Sequence, residues 1–278
     1  MVPATRTSVD VALCQNELRP VEGTVDLLTD LGALLDRAGP ADVYVLPELL
    51  GVAVGLDDGD RPITLEEDQI ADLHGFLHAE AADRDAVVVG GSYNVRETDG
   101  TIRNRAPIAT PDGVETYDKR HPIPAEREDG KAAGETPPPV VEHHGVGIGV
   151  LVCYDVEFPG AVRDLVDRGA EVVAVPSWTA TEAGVERVAR TAAARAVENQ
   201  CYVATAPLVS DVEGFEGRGR GTVYAPCDDV VGPNGTRLQL PKDERAAATC
   251  TLDVTALRES RERAAVRPYA DAGAGSDE

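Results

Sequence analysis

The chain has 278 residues, enough for a sizeable core, and with 42% hydrophobic but only 4% aromatic residues that core must come mainly from Val, Leu and Ala. Its formal charge is −23, and of its 26 basic residues only Lys119, Lys131 and Lys242 are lysines. This balance excludes the basic footprint of a nucleic-acid partner and disfavours an anionic membrane surface; it is the composition expected of a protein kept soluble in high salt, where self-repulsion is screened.

No stretch approaches the roughly 20 apolar residues of a membrane helix. Residues 1–8 contain no apolar secretory h-region, so a soluble cytoplasmic protein is expected. Cysteines stand at 14, 153, 201, 227 and 250, odd in number, widely spaced and without a C-x-x-C pair. That pattern suits reduced thiols rather than a disulfide framework or a zinc site.

In chain order, Val9, Val11 and Leu13 alternate as a strand, and Leu27, Leu31, Leu34 and Ala38 recur at helical spacing within residues 21–38, stopped by Gly39-Pro40. Residues 42–46 read as a short apolar strand ending at Pro47-Glu48, and 66–83 as a helix with Ile70, Leu73 and Leu77 on one face. A strand over 86–95 follows, then two that flank the Pro111-Asp112-Gly113 turn. Residues 122–139 are Pro- and Gly-rich and read as surface. The apolar run 146–154 has the signature of a strand buried on both faces. Next come a helix at 158–168, a buried strand at 171–176, an Ala/Arg-rich helix at 182–199 and a strand at 202–209. Residues 213–221 read as a mobile loop; strands near 222–231 and 246–253, a helix around 254–265 and a loose or partner-packed tail from Ala270 complete the chain. No linker or repeat divides it, so an α/β layered fold in one domain, 1–278, is expected.

Three polar residues end apolar strands abruptly: Glu48 after Val43-Tyr44-Val45-Leu46-Pro47, Lys119 after Glu115-Thr116-Tyr117-Asp118, and Cys153 after residues 147–152. Carboxyl ends of strands are where open α/β sheets bind ligands, so all three can reach one cleft. Their chemistry is complementary. A thiol becomes a strong nucleophile as thiolate, a carboxylate in a dry pocket can take its proton, and an ammonium can stabilise the oxyanion of a tetrahedral intermediate. The backbone N–H of Tyr154 would supply a second oxyanion donor.

The words around these residues, Leu46-Pro47-Glu48, Tyr117-Asp118-Lys119-Arg120-His121 and Cys153-Tyr154-Asp155-Val156-Glu157-Phe158-Pro159, resemble the three signature motifs of the nitrilase superfamily of carbon-nitrogen hydrolases. They occur in the family's order, separated by 71 and 34 residues, and Pro176-Ser177-Trp178 and Arg195-Ala196-Val197-Glu198-Asn199 resemble two further landmarks. The resemblance spans residues 8–255. It implies a four-layer αββα sandwich that associates through an α surface into homodimers or larger assemblies. It further implies a thiol-dependent hydrolase without cofactor or metal that attacks a small amide, carbamoyl or nitrile carbon through a thioester. Carried over, Cys153 is the nucleophile, Glu48 the general base and Lys119 the oxyanion partner. A second glutamate would be Glu126, with Glu128 the fallback, and Trp178 would either wall the acyl pocket or pack in the core. Amide hydrolysis leads, the carbamoyl version follows and nitrile hydrolysis is third; acyl transfer on the same triad is a further alternative, and a non-enzymatic scaffold is disfavoured because all three triad positions are intact. The chain departs from the family pattern at Pro122, at Gly160 after Phe158-Pro159, and at Pro226-Cys227-Asp228-Asp229, which leaves the substrate open.

Other signals read blandly. His74 and His78 lie four apart on a predicted helix, without a third ligand in view. His143-His144 read as a loop or strand edge rather than metal ligands. The alternating Gly145, Gly147 and Gly149 signal tight sheet packing, and Arg218 and Arg220 a flexible loop.

Overall fold

A computed structural model describes residues 6–58 and 62–274. The first half of the chain supplies strands β1 (Ser8–Gln15), β2 (Val43–Val45), β3 (Val87–Val89), β4 (Tyr93–Arg96), β5 (Ile102–Thr110) and β6 (Gly113–Asp118), with helices α1 (Thr24–Ala38), α2 (Glu67–Arg84) and α3 (Pro124–Glu128). The second half supplies β7 (Val140–His143), β8 (Val146–Val150), β9 (Val172–Ser177), β10 (Tyr202–Pro207), β11 (Thr222–Tyr224), β12 (Thr236–Gln239) and β13 (Ala246–Asp253). Its helices are α4 (Pro159–Asp167), α5 (Glu182–Asn199), α6 (Val254–Arg263) and α7 (Pro268–Ala274). One sheet runs β13-β1-β2-β3-β5-β4, with β6 also paired to β5, and the other runs β12-β11-β10-β9-β8-β7.

The layering follows from the two-residue period of a strand. In the first sheet, Val9, Val11, Leu13, Val43, Val45, Val87 and Val89 point into the core shared with Ile148, Val150 and Val172 of the second sheet. The intervening Ala12, Cys14, Tyr44 and Val88 point the other way, onto Leu27, Leu31 and Leu34 of α1 and Leu73 and Leu77 of α2. Both faces are therefore apolar, which is why these strands read as continuous hydrophobic runs. On the far side Val162 and Leu165 of α4 and Val188, Ala192 and Ala196 of α5 cover the second sheet. The result is the four-layer αββα sandwich. No helix among the described residues is long and apolar enough to cross a membrane.

Several boundaries differ from the periodicity. The strand expected over 86–95 is split by Gly90-Gly91, with Gly91 at φ +68°. The run 146–154 leaves the sheet after Val150, because Cys153 takes φ +47° and opens a short 3-10 turn, Cys153–Glu157. The strand expected at 222–231 ends at Tyr224: Pro226 has no N–H, and the Asp228 carboxylate accepts the N–H groups of Val230 (2.8 Å) and Val231 (2.7 Å), closing a turn. Inside the expected surface stretch, Pro124 starts α3, whose Glu126 carboxylate reaches back to the Ile123 N–H at 3.0 Å. The tail expected to be loose from Ala270 is helical to Ala274, with the Tyr269 ring under the guanidinium groups of Arg163 and Arg261; residues 275–278 lie outside the described residues.

Candidate active site

Glu48 follows β2 by three residues, and its approach is fixed from both sides. Leu46 N–H donates to Val89 O (3.0 Å) and Leu49 N–H to Ser92 Oγ (2.9 Å), while a Cβ on Gly91 would fall 2.0 Å from Pro47 O. Only glycine lets the β3–β4 loop approach this closely. Lys119 leaves β6 with its N–H on Asn104 O (2.9 Å) and its carbonyl accepting from Gly134 N (2.8 Å). Leu151 N–H still donates to Ala174 O (3.0 Å), and two residues later the left-handed Cys153 turns its thiol out of the sheet. A non-glycine residue held there costs about 1–3 kcal/mol, so the surroundings must enforce it.

Asp155 does much of that. Fully buried, its Oδ2 accepts Tyr117 Oη–H (2.9 Å) and Val152 N–H (3.2 Å), and its Oδ1 accepts His121 N–H (2.9 Å) and faces His121 Nδ1 at 2.7 Å. One carboxylate thus ties the segment on either side of Lys119 to the turn that carries Cys153. Arg195 closes the turn from the helical layer, donating from Nε to Val156 O (3.1 Å) and from Nη2 to Glu157 O (2.8 Å).

At the centre lies the Lys119 ammonium, 2% exposed, 2.8 Å from Glu48 Oε1 and 2.7 Å from Glu126 Oε2. Asn104 Nδ2 bridges the same two carboxylates, 2.9 Å from Glu48 Oε1 and 3.0 Å from Glu126 Oε1, and Lys131 Nζ reaches Glu126 Oε1 at 3.5 Å. The Cys153 thiol lines the same cavity as Glu48 and Lys119 and lies 3.6 Å from Trp178 O.

Electrostatics sort these groups. Burial would lower the Lys119 pKa, but the carboxylates of Glu48 and Glu126 hold it well above the ordinary lysine range, so it is a permanent cation. Burial opposes ionisation of Glu126, yet Lys119, Lys131 and the Ile123 N–H bring it down to about 2. Glu48 is pushed up: burial outweighs the opposing pull of Lys119, and the Glu126 charge adds to it. Cys153 is raised well above an ordinary thiol by burial and then by the Glu48 charge, against Lys119. The arrangement therefore pairs a thiol that resists ionisation with a carboxylate of raised proton affinity, the direction of tuning a general base needs.

These side chains open onto one cavity of about 350 Å³, whose lining also includes Leu49, Tyr154 and Trp178. Two of the three N–H bonds of Lys119 point at carboxylates, which leaves the third for a ligand oxygen. The structure brings Glu48, Lys119, Cys153 and Glu126 together, while Glu128, two residues further along α3, is exposed. Trp178 lines the cavity, stacked on Phe215 at 6.3 Å and donating from Nε1 to Glu216 O (2.9 Å). Arg218 and Arg220 face elsewhere, toward Asp211 (2.6 Å) and Gln239 (3.2 Å). His74 meets the Tyr93 hydroxyl at 2.9 Å and His78 the Pro111 carbonyl at 3.2 Å, separate partners rather than one shared ion. Sequence reasoning missed Asn104, Lys131 and the part played by Asp155. Lys131 had a signal, as one of three lysines; Asn104 had none, because a polar residue in a strand normally faces solvent.

The sequence profile of the Carbon-nitrogen hydrolase family matches residues 10–260. A protein described as a hydrolase in the pqqF 5' region of Pseudomonas protegens is 34% identical over 256 residues, covering 90% of this chain and 85% of that protein. The omega-amidase YafV of Escherichia coli is 30% identical over 255 residues, covering 91% and 93%. Among solved structures, an amidase double mutant from Nesterenkonia sp. AN1 in complex with acrylamide superposes with a TM-score of 0.72 at 26% identity, covering 94% and 97% of the two chains. With the αββα layers and a thiol, an ammonium and two carboxylates around one cavity, a profile match over most of the length makes this chain a member of the carbon-nitrogen hydrolase family, within the nitrilase superfamily.

Proposed function

We propose that the protein hydrolyses a small linear amide through a Cys153 thioester, with Glu48 as proton carrier, Lys119 and the Tyr154 N–H as oxyanion donors, and Glu126 as the anchor of Lys119. The single observation that carries this reading is the buried ammonium held between two carboxylates beside a free thiol. The thiol proton passes to Glu48 as sulfur attacks the carbonyl carbon. The oxygen, now negative, meets the third N–H of Lys119. Glu48 then protonates the departing nitrogen, and ammonia leaves the thioester. Water entering the vacated space gives a proton to Glu48 and attacks the same carbon; collapse releases the acid, and the thiolate recovers its proton from Glu48.

Relatives that are amidases, one of them an omega-amidase, support a small carboxamide as substrate, and a cavity of about 350 Å³ walled on one side by Trp178 accommodates one. Five free cysteines support a reducing, intracellular setting. The charge of −23 with three lysines supports a high-salt milieu. A single functional unit spanning the chain, and assembly into a homodimer or larger oligomer through the outer helical layer, belong to the same reading.

Ammonia release across a panel of carboxamides, N-carbamoyl compounds and nitriles, in molar KCl, tests the proposal. Wild type is expected to turn over carboxamides, and Cys153→Ala to lose at least about 10⁴-fold in kcat with an unchanged circular-dichroism spectrum. Retained turnover in that variant would remove the nucleophile from the scheme. Added hydroxylamine separates hydrolysis from acyl transfer by the fraction of product recovered as hydroxamate.

A further inference from the structure

Far from the catalytic end, three metal-ligating side chains converge from the two different sheets. Asp85 caps the C-terminus of α2 just before β3, and His143 and His144 stand at the β7–β8 turn of the second sheet. Consecutive strand residues normally point to opposite faces. Here His144 takes φ +51° in a two-residue turn with Gly145 at φ +76°, so both imidazoles swing to one side, with ring centroids 3.9 Å apart. Both aim at Asp85: His143 Nε2 lies 2.9 Å from its carbonyl oxygen, and His144 Nε2 lies 3.1 Å from Oδ2. One ligating atom from each of the three residues lies within 4.8 Å of the others.

We propose that Asp85, His143 and His144 form a binding site for a divalent transition cation such as Ni²⁺ or Zn²⁺, a metal staple between the two sheets. Two imidazoles and a carboxylate suit ions of this borderline class, with the remaining positions filled by water. The ligand separations need only small side-chain rotations to close on one ion. Asp85 is free to make them, since its side chain is 68% exposed and it has no Lys or Arg partner among the described residues. Binding exchanges two polar contacts, at 2.9 and 3.1 Å, for three coordinate bonds. It joins the start of β3 to the β7–β8 turn, at the end of the sheets opposite Glu48 and Cys153, which follow the far ends of β2 and β8. The effect is stabilisation by mass action, without a part in the chemistry.

The test uses full-length protein stripped with EDTA and titrated calorimetrically with NiCl₂, beside His143→Gln/His144→Gln and Asp85→Asn, where glutamine keeps an N–H for Asp85. Wild type is expected to bind one Ni²⁺ per chain and gain about 5 °C in Tm, the double histidine variant to lose about 100-fold in affinity together with that gain, and Asp85→Asn to lose about tenfold. Metal-free amidase activity should be equal in all three proteins. Equal Ni²⁺ affinity in wild type and the double variant, or no binding at all, overturns the site. A Co²⁺ spectrum of wild type tests the ligands without any substitution: nitrogen and oxygen ligation is expected, and a sulfur-to-metal charge-transfer band would assign the ion to a cysteine instead.

Discussion

Asn104 offers a single amide N–H₂ to both active-site carboxylates, and its own Oδ1 is buried with no protein partner among the described residues. A donor aimed at a carboxylate favours the ionised form, and Glu48 must be ionised to accept the thiol proton. Replacing Asn104 by Leu removes that donor and raises the Glu48 pKa further. The acid limb of the kcat/KM–pH profile is then expected to move to higher pH by about one to two units, since a hydrogen bond to a charged group contributes about 1.5–3 kcal/mol and one pH unit is about 1.4 kcal/mol. A profile of unchanged midpoint and lower amplitude would instead make Asn104 a spacer. Glu126 behaves in the opposite sense: against the cost of burial, Lys119 and Lys131 hold it at about 2, which suits a charged anchor for Lys119.

At the scale of elements, the catalytic geometry depends on loops that touch through backbone atoms. The β3–β4 connection presses Gly91, at φ +68°, against Pro47 O, and Ser92 Oγ holds the Leu49 N–H on the other side of Glu48. Gly91→Ala places a methyl where the Pro47 carbonyl stands and strains the backbone as well. The substitution is expected to lower Tm by about 5–10 °C and kcat/KM by at least about tenfold, because the turn bearing Glu48 must shift. Substitution at Gly130, also at positive φ but with open space around its Cβ position, should cost stability without a comparable loss of activity. Thermal melts and steady-state kinetics on both variants separate strain from displacement.

For the whole molecule, the distribution of lysine is informative. Two of the three, Lys119 and Lys131, are buried in the active cavity, 2% and 7% exposed, and only Lys242 is at the surface, paired with Glu182 at 2.7 Å. The surface therefore carries its positive charge almost entirely as arginine, against a net excess of acid. Self-repulsion of that kind weakens as the Debye length shrinks from about 10 Å at 0.1 M salt to about 3 Å at 1 M. Tm is expected to rise by about 10 °C between 0.1 and 2 M KCl, the bulk of it below 1 M. A flat or falling Tm would mean that the acidic surface is tolerated in dilute buffer and has no link to salt.

The local patterns in the chain determined most of the elements and their order, but not β7, β12 or α3, which are short and carry no distinct periodicity. Two-residue apolar alternation marked β1, continuous apolar runs marked strands covered on both faces, and leucines at helical spacing marked α1 and α2. The words around Glu48, Lys119 and Cys153 carried the family, since short backbone turns at strand ends demand particular neighbours. Tertiary structure decided what depends on distance across the fold: that Asn104 faces two carboxylates, that Asp155 joins the Lys119 and Cys153 segments, and that Asp85 meets His143 and His144 from the other sheet. Periodicity gives the face on which a side chain lies but not the partner opposite it, because that partner comes from a strand or loop tens of residues away, and only packing brings the two within hydrogen-bonding reach.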